Sequence, residues 1–452
     1  MPTLTRRTFL AGLGSAATAP GLAKAATKPD FDVIVIGAGA AGISAARRLS
    51  RSGKSFAVLE ASDRLGGRCF TDTRTFGRPY DQGAHSLHET SSFPVAQLCV
   101  NAGLEIHKTA PPQQLRTILK QLNSPGGPRY RPAREWELEE FYVNLQRCKG
   151  EIVKASASDG EASCATCLPK DIADWRSTME FMLGPYAFGT DLADMSAKEY
   201  VSSAAPESST RVRQGVGALL ARLAHGSPIQ FFSPVSRIEW GSQAVEVETR
   251  GQKLTARAVI LTASTGVLAS GKINFKPALP ARYAEAINKL KLGSVDRVAF
   301  ELNDNRLGIP NDTLLFEKAS DRHTAAGWGN FMGSRLCLVQ VGGKTCAELS
   351  EQGEAALTSF ALDWLIAQFG SDVRKSVARS HATRWNKQPW ALGAFSSASP
   401  GGQSARKVLS GALGDRIWFA GDAVHESLWG TVAGAWESGE RAANEALNRI
   451  RT

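Results

Sequence analysis

An α/β fold is predicted by three observations. Phe31–Ile36 (FDVIVI) is a β-branched, apolar run, the composition of a buried parallel strand. The turn Gly37-Ala-Gly39-Ala-Ala-Gly42 follows it at once and opens a helical stretch over 43–52. Near the other end, a short strand over 417–420 leads into a helix over 431–447.

Each element of the first unit has a physical reason. Gly37 permits the tight turn, Gly39 lets a pyrophosphate approach the backbone, and Gly42 lets helix and strand pack closely. Ala41 lies in the same turn, where the helix N-terminus offers unpaired N–H groups and the positive end of its dipole to phosphates. A second strand over 55–59 ends at Glu60, 18 residues beyond Gly42, where an acid can bind ribose hydroxyls. Strand, glycine turn, helix, second strand and acid in this order predict a dinucleotide site. The stretch 234–264 reads as further strands with a hairpin.

The chain has 452 residues, and that length favours two domains over one core. Its apolar (43%) and charged (21%) fractions are ordinary for a soluble globular protein. At the start, Arg6 and Arg7 precede a short apolar run, and Ala23-Lys24-Ala25 reads as a cleavage site. This is the layout of a twin-arginine signal over 1–25, which predicts bacterial export by the twin-arginine machinery to the periplasm or beyond. No later run is long enough to predict a stable membrane span. The formal charge of +10 includes Arg6, Arg7 and Lys24, so the mature chain is nearer +7. No long basic block points to nucleic acid, and the positive balance argues against a polycationic substrate. The seven cysteines are too sparse for a disulfide scaffold. Cys164 and Cys167 have the spacing of a redox or zinc half-site, but no second pair accompanies them. A loop disulfide is the other reading of that pair, within a stretch (156–167) read as a surface loop, and no metal site is predicted.

Glu60, Arg64, Gly66, Gly67 and Arg68 extend the glycine motif in a way that resembles the flavin-containing amine oxidase family of monoamine and polyamine oxidases. The C-terminal stretch 415–447 resembles the closing flavin motif of that family, and 78–89, 194–200, 211–224 and 384–401 match further landmarks. The resemblance implies a discontinuous, Rossmann-like FAD-binding domain over 28–100, 205–285 and 395–452. It implies a second, α+β substrate domain with a mixed sheet over 101–204 and 286–394. It also implies FAD as cofactor, with Gly67 and Arg68 at its phosphates, Gly83 and Ala84 along the flavin face, and Val235 at adenine. Asp422 stands where the family usually has a glutamate for the ribityl chain, and Thr431 and Val432 would offer N–H groups to the flavin.

Departures from the family pattern shape the expected chemistry. Ala394 replaces the cysteine that can anchor flavin, which implies noncovalent FAD. Phe395 and Thr431 take the places of a facing aromatic pair, leaving the slot half open for a secondary or polyamine-like amine. Trp390 and Trp429 are further candidate walls, against ordinary core packing. His85 either orients substrate or serves the core. Asp81 and Glu89 are candidate acids for a polyamine, with a solvated surface the favoured reading for Glu89. Arg297 stands where the family has a lysine near the flavin; it can assist oxygen chemistry, bind an anionic substrate group, or join a structural ion pair. The expected reaction is hydride transfer from an amine to FAD, giving imine and then aldehyde, with O2 reduced to H2O2. An amine dehydrogenase serving a periplasmic electron acceptor, a cytochrome or quinone, is one alternative. A flavin-containing binding protein with little turnover is the other.

Overall fold

The structure, a computed structural model, describes residues 28–108, 115–121, 129–158, 161–203, 210–303 and 307–451. The twin-arginine segment lies outside the described residues. Two sheets organise the chain. The larger runs in the order Asn274–Lys276, Val235–Glu239, Val245–Thr249, Gln252–Leu261, Phe31–Ile36, Phe56–Leu59 and Ile229–Gln230, with Ile417–Phe419 also paired to Gln252–Leu261. Phe31–Ile36 is parallel to both neighbours. The ten-residue strand Gln252–Leu261 divides its length: Gln252 to Ala256 pairs with the antiparallel meander, and Val259 to Leu261 pairs with Ile417–Phe419.

Alternation along the first strand explains why it is apolar throughout. Val33 and Val35 pack on Ala41, Ala45, Ala442 and Ala446 of the two flanking helices. Ile34 and Ile36 face the opposite core with Val259, Leu261, Ile417 and Phe419. A sheet covered on both faces leaves no position for a polar side chain. The helix after the glycine turn spans Ala40–Ser50, and the closing helix spans Val432–Arg451. These two lie against each other because a side chain at Gly439 would collide with the carbonyl of Ala41. The two ends of the described chain are thereby joined on one face of one sheet.

The second sheet runs Val377–Ala382, Val295–Leu302, Leu336–Gly342, Ala326–Gly329, Thr313–Glu317, Leu115–Gln121 and Arg129–Pro132. It is antiparallel except where Thr313–Glu317 pairs in parallel with Leu115–Gln121, so the sheet is mixed. The helices Gly343–Gln352 and Glu354–Phe369 cover it, with Leu357, Ala361 and Leu365 in its core. No described helix is long and apolar enough to cross a membrane.

The surface-loop reading of 156–167 needs correction. The helix Glu135–Ser158 runs into this stretch, and Cys164–Cys167 forms a 3-10 turn. Cys164 is buried with Cys148 and Ile152, a cysteine behaving as a small hydrophobe. Cys164 and Cys167 are not joined in a disulfide, and the Cys167 thiol donates to the Ser163 carbonyl at 3.2 Å.

Candidate active site

A cavity of about 890 Å³ lies where the two sheets meet. The larger sheet lines it with Ile36, Leu59 and Val235, and the smaller one with Val295, Arg297, Trp328 and Gln340. One end is built largely from backbone and the other from side chains.

At the first end, Gly37 has φ +101°, and a side chain there would collide with the Thr262 hydroxyl. Gly42 does not line the cavity; a Cβ on it would strike the carbonyl of Gly37, so its role is packing. Gly39 differs. The nearest atom to a Cβ built on it is the Gly66 carbonyl at 3.9 Å, and Gly39, Ala41 and Gly67 all face the cavity. A β-carbon at Gly39 would thus occupy space that a bound phosphate group can use. Glu60 is buried and oriented by its neighbours. Its Oε2 accepts from the Ala38 N–H at 2.7 Å, and its Oε1 accepts from the Ser62 N–H at 2.9 Å and the Ser62 hydroxyl at 2.7 Å. Arg64 lines the same end, and its guanidinium donates to the carbonyls of Gly67 at 2.8 Å and Leu65 at 3.2 Å. Val235 reaches the cavity at the start of its strand.

Midway, Arg68 and Asp422 meet each other, a pairing that neither motif reveals alone. Arg68 donates to Asp422 Oδ1 at 2.6 Å and to the Ala394 carbonyl, while Asp422 Oδ2 accepts from the Ser396 N–H at 3.0 Å. Burial pushes the Asp422 carboxyl up, but Arg68 and the Ser396 N–H outweigh it and hold the carboxyl below its ordinary range. Gly83 is wedged where a side chain would strike the Arg68 carbonyl and the Trp385 ring. Ala84 lines the cavity beside it.

The closing helix aims its N-terminus at the cavity through Thr431 and Val432. The Thr431 hydroxyl donates to the Leu428 carbonyl at 2.7 Å and accepts from the Gly434 N–H at 3.0 Å, as a helix cap does. The Thr431 N–H bends to Leu428 at 3.3 Å, which leaves Val432 as the first N–H with no intrahelical partner. His425 braces this loop: its Nδ1 accepts from the N–H groups of Ser427 and Leu428, and its Nε2 bonds Glu437 at 3.0 Å.

The other end is aromatic. Tyr186, Phe188, Trp328, Trp385, Phe395 and Trp429 line it. Phe395 sits against the 430–431 turn, since a Cβ on Gly430 would lie 3.6 Å from its own. Trp429 is buried, its ring 5.0 Å from that of Phe188 and tilted 34° to it, and has the Arg406 guanidinium 4.9 Å from its ring. Trp390 lines the cavity but is 41% exposed, with the Lys272 ammonium 4.9 Å from its ring, which makes it part of the rim.

Arg297 projects into the cavity from the strand Val295–Leu302. Its Nε and one terminal nitrogen donate to Gln340 Oε1, both at 3.2 Å, and the other terminal nitrogen donates to the Gly83 carbonyl. No carboxylate pairs with it among the described residues, so the structural ion pair considered for it is not formed. His85 lines the cavity nearby, its ring 5.9 Å from Phe331. Burial, reinforced by Arg297 and Arg211, holds the His85 imidazole well below its ordinary pKa, so the ring is neutral. The candidate acids lie elsewhere. Asp81 is buried off the cavity, accepting from Thr71 and from the Val216 N–H at 3.0 Å; Glu89 accepts from the Ala96 N–H at 2.6 Å on the surface. Both cap helix starts, the ordinary use of a carboxylate at that position.

Sequence reasoning missed Gln340, Tyr186, Phe188 and Trp328, while Trp385 lies within the 384–401 landmark without being singled out there. Gln340 had a readable signal, being the only polar side chain in the apolar strand Leu336–Gly342, and it lies directly across from Arg297. The aromatics carried none beyond their apolar character.

The donor set of the first end fits a dinucleotide: glycine backbone at a helix start, a buried acid, and a guanidinium held by neutral carbonyls. Comparison with known proteins agrees. The flavin containing amine oxidoreductase family matches over residues 40–447. Lysine-specific histone demethylase 2 of Homo sapiens is 27% identical over 91% of this chain and 53% of its own length. Polyamine oxidase 2 of Arabidopsis thaliana is 26% identical over 92% of this chain and 88% of its own. The chain spans about half the length of the first demethylase relatives it matches. Putrescine oxidase bound to putrescine superposes with a TM-score of 0.76 at 20% identity, covering 93% of this chain and 99% of that one. Cyclohexylamine oxidase from Brevibacterium oxydans IH-35A gives 0.74 at 21% identity, over 94% and 100%. The chain belongs to the flavin-containing amine oxidoreductase family, whose members are FAD-binding enzymes acting on amines.

Proposed function

We propose that this chain oxidises a secondary amine to an imine, which hydrolyses to aldehyde and amine, with O2 reduced to H2O2. Bound FAD would supply the hydride acceptor. The protein's task is then to deliver the amine uncharged, because a protonated nitrogen has no lone pair to drive transfer. The observation that carries the reading is the substrate end itself. Aromatic walls surround the cationic Arg297 and neutral His85, and the carboxylates lining the cavity, Glu60, Asp63 and Asp422, belong to the dinucleotide half. The burial that chiefly keeps His85 unprotonated, together with the nearby Arg297 and Arg211 charges, would also favour the free base of a bound amine. The half-open slot between Phe395 and Thr431 suits a substituted nitrogen. A polyamine-like substrate is the less favoured form of this reading, since among the described residues no acid lines that end to hold a second ammonium.

Noncovalent FAD is part of the proposal. Ala394 has no nucleophile, and Cys69, the cysteine that lines the cavity, has its thiol pushed up to about 12 by burial and by Asp81, so it is protonated. Export by the twin-arginine route, with FAD loaded before passage, is proposed from residues 5–25 alone.

The test is anaerobic mixing of the yellow holoenzyme with a panel of aryl-alkyl and N-methylated amines. Bleaching of the flavin is expected, followed in air by one peroxide per amine consumed. A flavin that no amine reduces would remove this reading. A second reading, an amine dehydrogenase, is favoured by Arg297 at the family's lysine position. Bleaching by amine with negligible peroxide, and rapid turnover only with an artificial acceptor, would select it.

A further inference from the structure

We propose that the substrate is an amine bearing a carboxylate, and that Arg297 is the residue that grips it. This rests on the amine-oxidation reading and narrows its substrate class.

Three arginines at or near the cavity are each neutralised by a carboxylate. Arg68 is paired with Asp422 at 2.6 Å. Arg211, whose guanidinium lies 4.6 Å from the rings of both Trp328 and Phe331, is paired with Asp312 at 2.7 Å. Arg406, buried beneath Trp429, is paired with Glu199. Arg64 and Arg297 differ: both line the cavity, and among the described residues both donate only to neutral oxygens, although the charges of Glu60 and Asp63 reach Arg64. A desolvated charge without a partner is costly, so such a site is built for an anion that arrives later. Arg64 stands at the end that receives the two phosphates of the dinucleotide. Arg297 stands at the end that receives the substrate.

The guanidinium is also held ready. Gln340 Nε2 donates to the Tyr186 carbonyl at 2.9 Å, which turns its Oε1 toward Arg297. A guanidinium has five N–H groups. Three are engaged, by Gln340 twice and Gly83 once, so two remain, one on each terminal nitrogen. Two N–H groups on adjacent nitrogens match the two oxygens of a carboxylate. Asp81, whose charge reaches Arg297, is already committed to Thr71 and the Val216 N–H and does not line the cavity. His85, neutral beside Arg297, adds no competing carboxylate and no second full charge. The aromatic walls would then hold the organic remainder of the amine.

The test uses FAD-loaded enzyme and two sets of probes. The first set is phenylacetate against its neutral amide, titrated by calorimetry and by the flavin difference spectrum. Phenylacetate is expected to bind about tenfold or more tightly than the amide, the effect of a charge-assisted pair. Arg297→Met should abolish the difference, and Arg297→Lys should restore only part of it. Equal binding of acid and amide to the wild type overturns the proposal, and this arm stands even if a variant fails to load FAD. The second set is N-benzylglycine, its methyl ester and N-methylbenzylamine in anaerobic flavin reduction. If the ester and the simple amine reduce the flavin as well as the acid does, the carboxylate site falls while amine oxidation stands. If none reduces it yet phenylacetate still binds through Arg297, amine oxidation falls while the anion site stands.

Discussion

The two ends of the cavity are built on different principles. The dinucleotide end uses backbone: glycines that no side chain can replace, N–H groups at helix starts, and one acid 18 residues downstream of the glycine turn. The substrate end uses side chains: Arg297 from one strand, Gln340 from its neighbour, His85 and Gly83 from the loop crossing between sheets, and Trp429 from the approach to the closing helix. Backbone sites tolerate little change and keep one ligand. Side-chain sites can be re-specified by single substitutions while the frame stands. Family membership therefore follows from the first end, and substrate must be argued from the second.

The sharpest way to break that comparison is at Gly42. Gly42→Ala forces a β-carbon onto the Gly37 carbonyl. The variant is expected to purify colourless, with FAD retention below about a tenth of wild type if the clash costs several kcal/mol; the 450 nm to 280 nm absorbance ratio measures it. Asp422→Ala comes next. It leaves Arg68 without its carboxylate and the Ser396 N–H without an acceptor, and should cost about 2 kcal/mol in denaturant unfolding and weaken FAD binding as well. Normal stability with weakened FAD would place Asp422 with the cofactor rather than with Arg68.

Asp81 tests a buried carboxyl that serves the frame and not the chemistry. Burial raises it to about 7, against Thr71 and Val216, which lower it. A folded-state value above the unfolded one means that the native state binds more protons between about pH 4 and pH 7, so stability should fall as pH rises through that window. Asp81→Asn should flatten this slope in pH-dependent thermal unfolding without altering which amines bleach the flavin. His425→Ala is the mildest. It removes the acceptor for the Ser427 and Leu428 N–H groups and should cost about 1 kcal/mol, with a small shift in the flavin spectrum through the Thr431 turn.

Legibility followed the same division. Phe31–Ile36 was readable to the residue, because a strand buried on both faces has no polar alternative. The helix after it begins at Ala40, three residues before its apolar run, because the glycine turn itself supplies the first helical turn. Asp81 misled, since a carboxylate that caps a helix and one that binds an ammonium look alike in a string of letters, whereas Glu89 lies on the surface, the reading favoured for it. Trp390 misled less: it lines the cavity, but from the rim.

The sequence by itself determined the dinucleotide site, because spacing along one strand–turn–helix unit is a local property and the physics of that turn leaves glycine no substitute. It also identified Arg297 as the position that departs from the family pattern. Only the tertiary structure decided which groups surround Arg297, because its partners Gly83 and Gln340 lie 214 and 43 residues away. Whether an arginine is neutralised depends on which carboxylates the fold brings within reach, and that is a property of packed sheets, not of neighbours in the chain.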